Sequence, residues 1–127
     1  MNLRHEQIIS LFTSPKQTMM GGLWYSGVRK EGEYKEWFDN WKLNVHCFYK
    51  NNKYNGEYKS WFDNGQLWKH FLYKDGSLEG EYKHWYDDGK LFMHMFYKNG
   101  KKDGEYKAWN EKGQLVDSRN YKDGVEI

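Results

Sequence analysis

The stretch GEYKSWFDNGQL, residues 56–67, decides the fold because the chain repeats it. GEYKEWFDNWKL begins at Gly32, GEYKHWYDDGKL at Gly80 and GEYKAWNEKGQL at Gly104, each 24 residues from the next. A short period of this kind marks an array of small units, each stabilised by its neighbours. Inside one unit, EYKSWF is followed by DNGQ, then LWKHFLYK, then DGSLEG. The two aromatic-rich runs read as strands. Asn64-Gly65 and Asp88-Gly89 supply the positive φ that tight hairpin turns require. Asp75-Gly76, Asn99-Gly100 and Asp123-Gly124 mark a second turn. Each unit is therefore expected to be a β-hairpin, and successive hairpins to join in one antiparallel meander. A leucine-rich repeat has a similar period but needs several spaced leucines per unit. Here Leu43, Leu67, Leu91 and Leu115 are the one leucine position kept.

Aligned on the glycines, four units cover residues 32–127. Tyr25 falls on the lattice of Tyr49, Tyr73, Tyr97 and Tyr121, so a half-unit precedes the first. LRHEQIISLF places Ile8, Leu11 and Phe12 at helical spacing, with Pro15 limiting its continuation. Residues 1–31 thus read as a short N-terminal helix and capping half-repeat. The expected fold is all-β: an elongated single-layer antiparallel meander of stacked hairpins. In such a sheet Tyr and Trp rings, with Lys stems between them, cover the faces while their polar ends stay wet. Which ring takes which face is open. An even tip loop sets Trp61 opposite Trp68, Lys59 opposite His70 and Tyr58 opposite Phe71. An odd loop with a glycine bulge sets Trp61 opposite Leu67 and exchanges the faces.

The composition agrees with a thin, half-buried structure: 38% of the chain is hydrophobic, yet 20% is aromatic. Disordered chains lack such aromatics. Net charge is +2; Arg4, Lys16, Arg29 and Lys30 face Glu6 and Glu31 within residues 1–31, and the remainder holds 16 basic and 16 acidic side chains. Neutral repeats give no support to nucleic-acid binding, and they disfavour peripheral membrane contact. Cys47 is alone, so no internal disulfide forms, and an intracellular, cytoplasmic setting is expected. No apolar run is long enough for a membrane-spanning helix, and IISLF is too short for a signal-peptide core.

With these residues in hand, the chain resembles the MORN repeat family in its variant form. The resemblance rests on YKDGSLEG at Tyr73–Gly80, the pattern of Gly56–Leu67, and YKNGKKDGEYKAWNEKGQL at Tyr97–Leu115. It implies stacked hairpins and a non-catalytic module for protein contacts, sometimes at membranes, sometimes antitoxin-like. The first unit departs from the pattern. Trp41 stands where the tip glycine belongs, and Asn52 replaces the next turn glycine. Trp does not readily adopt the left-handed region, so a distorted first tip is expected.

Nothing in the sequence argues for catalysis, a cofactor or a metal. No nucleophile motif or phosphate loop is present. His46, His70 and His94 share one repeat position, but two strand spacings separate them by roughly 9.5 Å. Zinc ligands must come within about 4 Å of each other. The Glu-x-Lys pairs Glu33/Lys35, Glu57/Lys59, Glu81/Lys83 and Glu105/Lys107 read as a solvated face, with a phosphate-binding ladder as the alternative. Cys47 matches Phe71 and Met95 on the lattice, which favours buried packing. Unit four is polar where inner units are apolar, with Asn110, Asp117, Ser118, Arg119 and Asn120 forming a cap.

The largest regular apolar surface then lies in units two and three. Trp61, Trp68, Phe71, Trp85, Phe92, Met93, Met95 and Phe96 are the expected partner-binding residues. Trp68 and Phe92 are the strongest of these, because their lattice position varies between copies. The function expected is a protein-interaction or scaffold module. The alternatives are a lipid-surface module, or an antitoxin-like or ligand-binding array whose aromatic cage takes a quaternary ammonium. Self-association through the N-terminal helix or the terminal strand is also open.

Overall fold

The structure, a computed structural model, describes the backbone of residues 18–20, 23–26 and 29–127, and side chains from Lys30 onward. The N-terminal helix expected over Ile8, Leu11 and Phe12 lies outside the described residues. Among those described there is one antiparallel sheet and no helix. Two short strands, β1 (Thr18–Met20) and β2 (Leu23–Ser26), precede β3 (Arg29–Trp37) and β4 (Leu43–Lys50). Then come β5 (Lys53–Tyr54), β6 (Gly56–Trp61), β7 (Leu67–Lys74), β8 (Ser77–Trp85) and β9 (Leu91–Lys98). The last four are β10 (Lys101–Lys102), β11 (Gly104–Trp109), β12 (Leu115–Lys122) and β13 (Val125–Glu126). Neighbours in sequence are neighbours in space, and only the two-residue strands β5 and β10 branch off the main path. Tyr25 pairs with Lys30 as Tyr49 pairs with Tyr54, so the leading half-unit keeps the lattice.

The tip turn combines both registers left open by the sequence. Tyr58 faces Phe71 and Lys59 faces His70, yet Trp61 faces Leu67. The shift falls between Ser60 and Trp61, and leaves Trp68 as the extra residue of a β-bulge. Beyond it the Phe62 amide donates to the Gln66 carbonyl at 2.9 Å and the Gly65 amide to the Phe62 carbonyl at 3.0 Å. Gly65 sits at φ +90°, which a β-carbon resists.

Trp41 occupies that position in unit one at φ +66°. Contrary to expectation, the tip is not distorted. The Phe38 amide still donates to the Lys42 carbonyl at 2.8 Å, and the Trp41 amide to the Phe38 carbonyl at 3.0 Å. The array imposes the turn, and the left-handed Trp costs about 1–2 kcal/mol.

Two ladders lock the units in register. At the tips, Asn40 Nδ2 donates to the Asp63 carbonyl at 3.2 Å and Asn64 Nδ2 to the Asp87 carbonyl at 2.9 Å. Asp88, next in that row, has no amide to donate. Tyr86 Oη instead donates to the Trp109 carbonyl at 2.8 Å, and Lys90 Nζ to the Glu111 carbonyl at 3.0 Å. At the opposite end the Gly76, Gly100 and Gly124 amides donate to the Tyr54, Leu78 and Lys102 carbonyls at 2.8–2.9 Å. These otherwise unpaired turn groups are satisfied by the preceding unit, which explains why the hairpins stack rather than splay.

Candidate functional site

Alternation along the paired strands gives the sheet two chemically distinct faces. On one, Cys47, Ser60, Phe71, Met95 and Ala108 are buried. Tyrosines roof them. The Phe71 ring is stacked between Tyr58 at 4.7 Å and Tyr82 at 4.6 Å, both nearly parallel to it. Tyr54 stacks on Tyr73 at 4.8 Å and packs against Tyr49 at 4.6 Å. Burial pushes the Tyr58 phenol up to about 12 and raises Tyr49 well above its ordinary value. The Cys47 thiol, 1% exposed, is likewise pushed up to about 12 by burial. A thiol in that state is a small hydrophobe and not a nucleophile.

The other face is charged. The pairing Lys35–His46–Lys59–His70–Lys83–His94–Lys107–Ser118 runs as one row across eight strands. Each hairpin neutralises its own share. Glu33 meets His46 at 2.9 Å and Lys35 at 3.7 Å; Glu57 meets His70 at 3.4 Å and Lys59 at 3.7 Å; Glu81 meets Lys83 at 3.0 Å and His94 at 3.2 Å. The hydrogen bond from His46 holds the Glu33 carboxyl below its ordinary value, and Lys83 does the same for Glu81. Among the described residues no three His, Cys, Asp or Glu side chains come together to hold a metal ion.

The eight residues singled out from the sequence do not share one surface. Phe71, Met93 and Met95 lie on the aromatic face. Trp61 and Trp85, two residues beyond Lys59 and Lys83, lie on the charged face, as does Phe96 opposite Glu81. Trp68 and Phe92 take the bulge positions and turn toward the aromatic face. Trp68 packs on the Phe62 ring at 5.3 Å, with Lys69 Nζ over it at 4.1 Å. Phe92 packs on Tyr86 at 5.1 Å and His84 at 6.3 Å. Register sets Lys69 opposite His84, so the two groups join in one patch of Phe62, Trp68, Lys69, His84, Tyr86 and Phe92. Trp68 remains 38% exposed.

Sequence reasoning missed Phe62, Lys69, His84 and Tyr86. The signal available was variation: Phe38, Phe62, Tyr86 and Asn110 share a lattice position that is not held constant. His84 is pushed down to about 4, first by burial and then by the Lys69 charge. Its Nε2 lies 3.1 Å from Tyr82 Oη.

The MORN repeat variant family matches residues 54–75, 78–99 and 102–123, together more than half of the chain. The chain belongs to the MORN repeat variant family. The matched MORN repeats follow the hairpin that carries Trp41, which is itself unmatched. A search of curated proteins finds no significant match. Among the described residues no helix is long and apolar enough to cross a membrane.

Proposed function

We propose that this chain is a non-catalytic protein-interaction module that docks a partner on the aromatic face, around Trp68 and Phe92. One observation carries the reading. The bulges eject these two rings from the hydrogen-bonded ladder, while Phe71 and Met95 beside them are buried in the fabric. Trp68, still 38% exposed, is thus available for recognition, with Phe92 beside it in the same patch. Membership of a repeat family that often mediates protein or membrane contacts supports this. Aromatic rings are enriched at the cores of protein interfaces and often dominate the affinity.

Membrane attachment through the Lys/His row is the weaker reading, because each hairpin sets a Glu against its own Lys. The test is capture of cellular partners by the intact chain, compared with Trp68→Ala/Phe92→Ala. The double variant is expected to keep its melting temperature within a few degrees and to lose the partner by about 2 kcal/mol or more. Undiminished capture by a folded double variant would refute the aromatic-face reading. Co-sedimentation with anionic liposomes would favour the membrane alternative.

A further inference from the structure

The aromatic face carries one row in which no two units agree. Glu36, Ser60, His84 and Ala108 hold one side of it, and Val45, Lys69, Met93 and Asp117 the other. The tyrosines beside it, Tyr34, Tyr58, Tyr82 and Tyr106, are the same in every unit. Stacking of unit on unit rests on the constant row, so the varying row is where this surface acquires specificity.

At the centre of the varying row stands Lys69, half-buried, with its Nζ 4.1 Å from the centre of the Trp68 ring. The lysines of the opposite face each meet a carboxylate of their own hairpin. Lys35, Lys59, Lys83 and Lys107 lie 3.7, 3.7, 3.0 and 3.5 Å from Glu33, Glu57, Glu81 and Glu105. Among the described residues no carboxylate oxygen comes within 4 Å of Lys69 Nζ. Its cross-strand neighbours are Ser60, which is uncharged, and His84, which burial and Lys69 itself hold neutral.

The carboxylates of the same row are too distant to compensate. Glu36 lies three strand spacings away, about 14 Å, and Asp117 four, about 19 Å. Both exceed the Debye length of about 8 Å at physiological salt, and Asp117 is already engaged by Arg119 at 3.0 Å. Asp63 and Asp87 stand in the exposed tips beyond Phe62 and Tyr86, and neither reaches Lys69 within ion-pair distance. The Trp68 ring face attracts the ammonium but leaves its charge uncancelled. The patch thus presents one cation, partly stripped of water by rings and without a counter-ion. An anion arriving there gains more than it would at a fully exposed lysine.

We propose that the patch of Phe62, Trp68, Lys69 and Phe92 binds an acidic segment of a partner protein, in which a carboxylate side chain stands next to an apolar one. The carboxylate pairs with Lys69, and the apolar side chain lies on Trp68 and Phe92. The inference rests on the reading of the aromatic face as the docking surface and adds the chemistry of what docks there.

The experiment is an NMR titration of the intact chain with three capped tripeptide amides: Glu-Leu-Glu, Gln-Leu-Gln and Lys-Leu-Lys. Glu-Leu-Glu is expected to shift the Trp68 indole N–H and the Lys69 and Phe92 amides saturably. Gln-Leu-Gln should bind about fivefold more weakly, the range of a single ion pair, and Lys-Leu-Lys should give no saturable shift. Lys69→Gln removes the charge and keeps most of the stem, so it should melt within a few degrees of the parent and bind Glu-Leu-Glu no better than Gln-Leu-Gln. Lys59→Gln, on the opposite face, should leave the preference as it is in the parent. Equal binding of Glu-Leu-Glu and Gln-Leu-Gln, a preference that survives in Lys69→Gln, shifts centred on His70 and Lys83 of the charged face, or no saturable shift at all would each overturn the proposal. Equal binding at Trp68 would leave the aromatic-face reading standing, with a partner chosen by apolar contact alone. That reading falls only if folded Trp68→Ala/Phe92→Ala captures the cellular partner undiminished.

Discussion

Acid should loosen the middle of the array through one side chain, His84. Its ring lies between Tyr82 at 5.0 Å and Phe92 at 6.3 Å, and its strand partners on either side are Lys69 and Met93. No carboxylate is among these neighbours, so protonation meets burial and a lysine with no compensating charge. The imidazole is accordingly pushed down to about 4 from an ordinary value of 6.5. Because the folded value lies below the unfolded one, the unfolded chain takes up the proton first. The stability contributed by neutral His84 is fully present above pH 6.5 and falls as pH drops toward 4. Linkage sets an upper bound of about 2 kcal/mol on the loss between pH 7 and pH 5, and solvent screening of a half-buried ring brings it nearer to about 1 kcal/mol. Urea melts of the parent and of His84→Phe across that range read the difference directly. Glu33 and Glu81, with depressed values, lose their contributions only below the ordinary carboxylate value of 4.5, so they do not intrude. The histidines of the charged face are common to both proteins and cancel. His84→Phe is expected to lack about 1 kcal/mol of the parent's acid sensitivity. Parallel pH profiles would refute the account of a half-buried neutral imidazole beside Lys69.

Phe71→Ala removes a ring that is 8% exposed and stacked on both sides. It should cost about 3–5 kcal/mol, measured by denaturant unfolding, whereas Trp68→Ala should leave the fold nearly unchanged. Trp41→Gly relieves a side chain held at φ +66° and should raise stability by about 1 kcal/mol; a lower melting temperature would show that the half-exposed indole contributes more than its strain costs. The eleven strands of the main path span about 48 Å at ordinary strand spacing. Small-angle scattering should therefore give a radius of gyration clearly above the roughly 14 Å of a compact chain of this length.

The local parts of this fold were legible in the residues. Asp75-Gly76 and Asn99-Gly100 need positive φ at both positions and adopt it, at +48° and +86°, and +52° and +80°. The aromatic runs beside them become the strands, and Tyr58 faces Phe71 as an even register requires. Hairpins are determined this way because their partners are close in the chain and their turns admit few residues. Cys47 was legible as buried because it shares a lattice position with Phe71 and Met95.

Other features belong to the stacked sheet alone. The bulge at Trp68 moves one residue out of register, so every side chain beyond it changes face; DNG is compatible with the turn either way. Alternation from Lys59 keeps Trp61 on the charged face while the bulge turns Trp68 toward the aromatic one, which divides a surface that reads as continuous along the chain. Trp41 could not be placed from its own preference, because the neighbouring tip, through Asn40 and the Asp63 carbonyl, helps hold the turn that preference opposes. The surroundings of the junction glycines are of the same kind, since nothing lies within 4 Å of where a β-carbon on Gly80 would stand. Leu72 and Phe96 are both large apolar residues at one repeat position, and only their packing across the junction shows that one covers its glycine and the other does not. Pattern in a chain reports periodicity and turn chemistry, which are local, whereas face assignment and vacancy depend on contacts between strands that only the assembled sheet brings together.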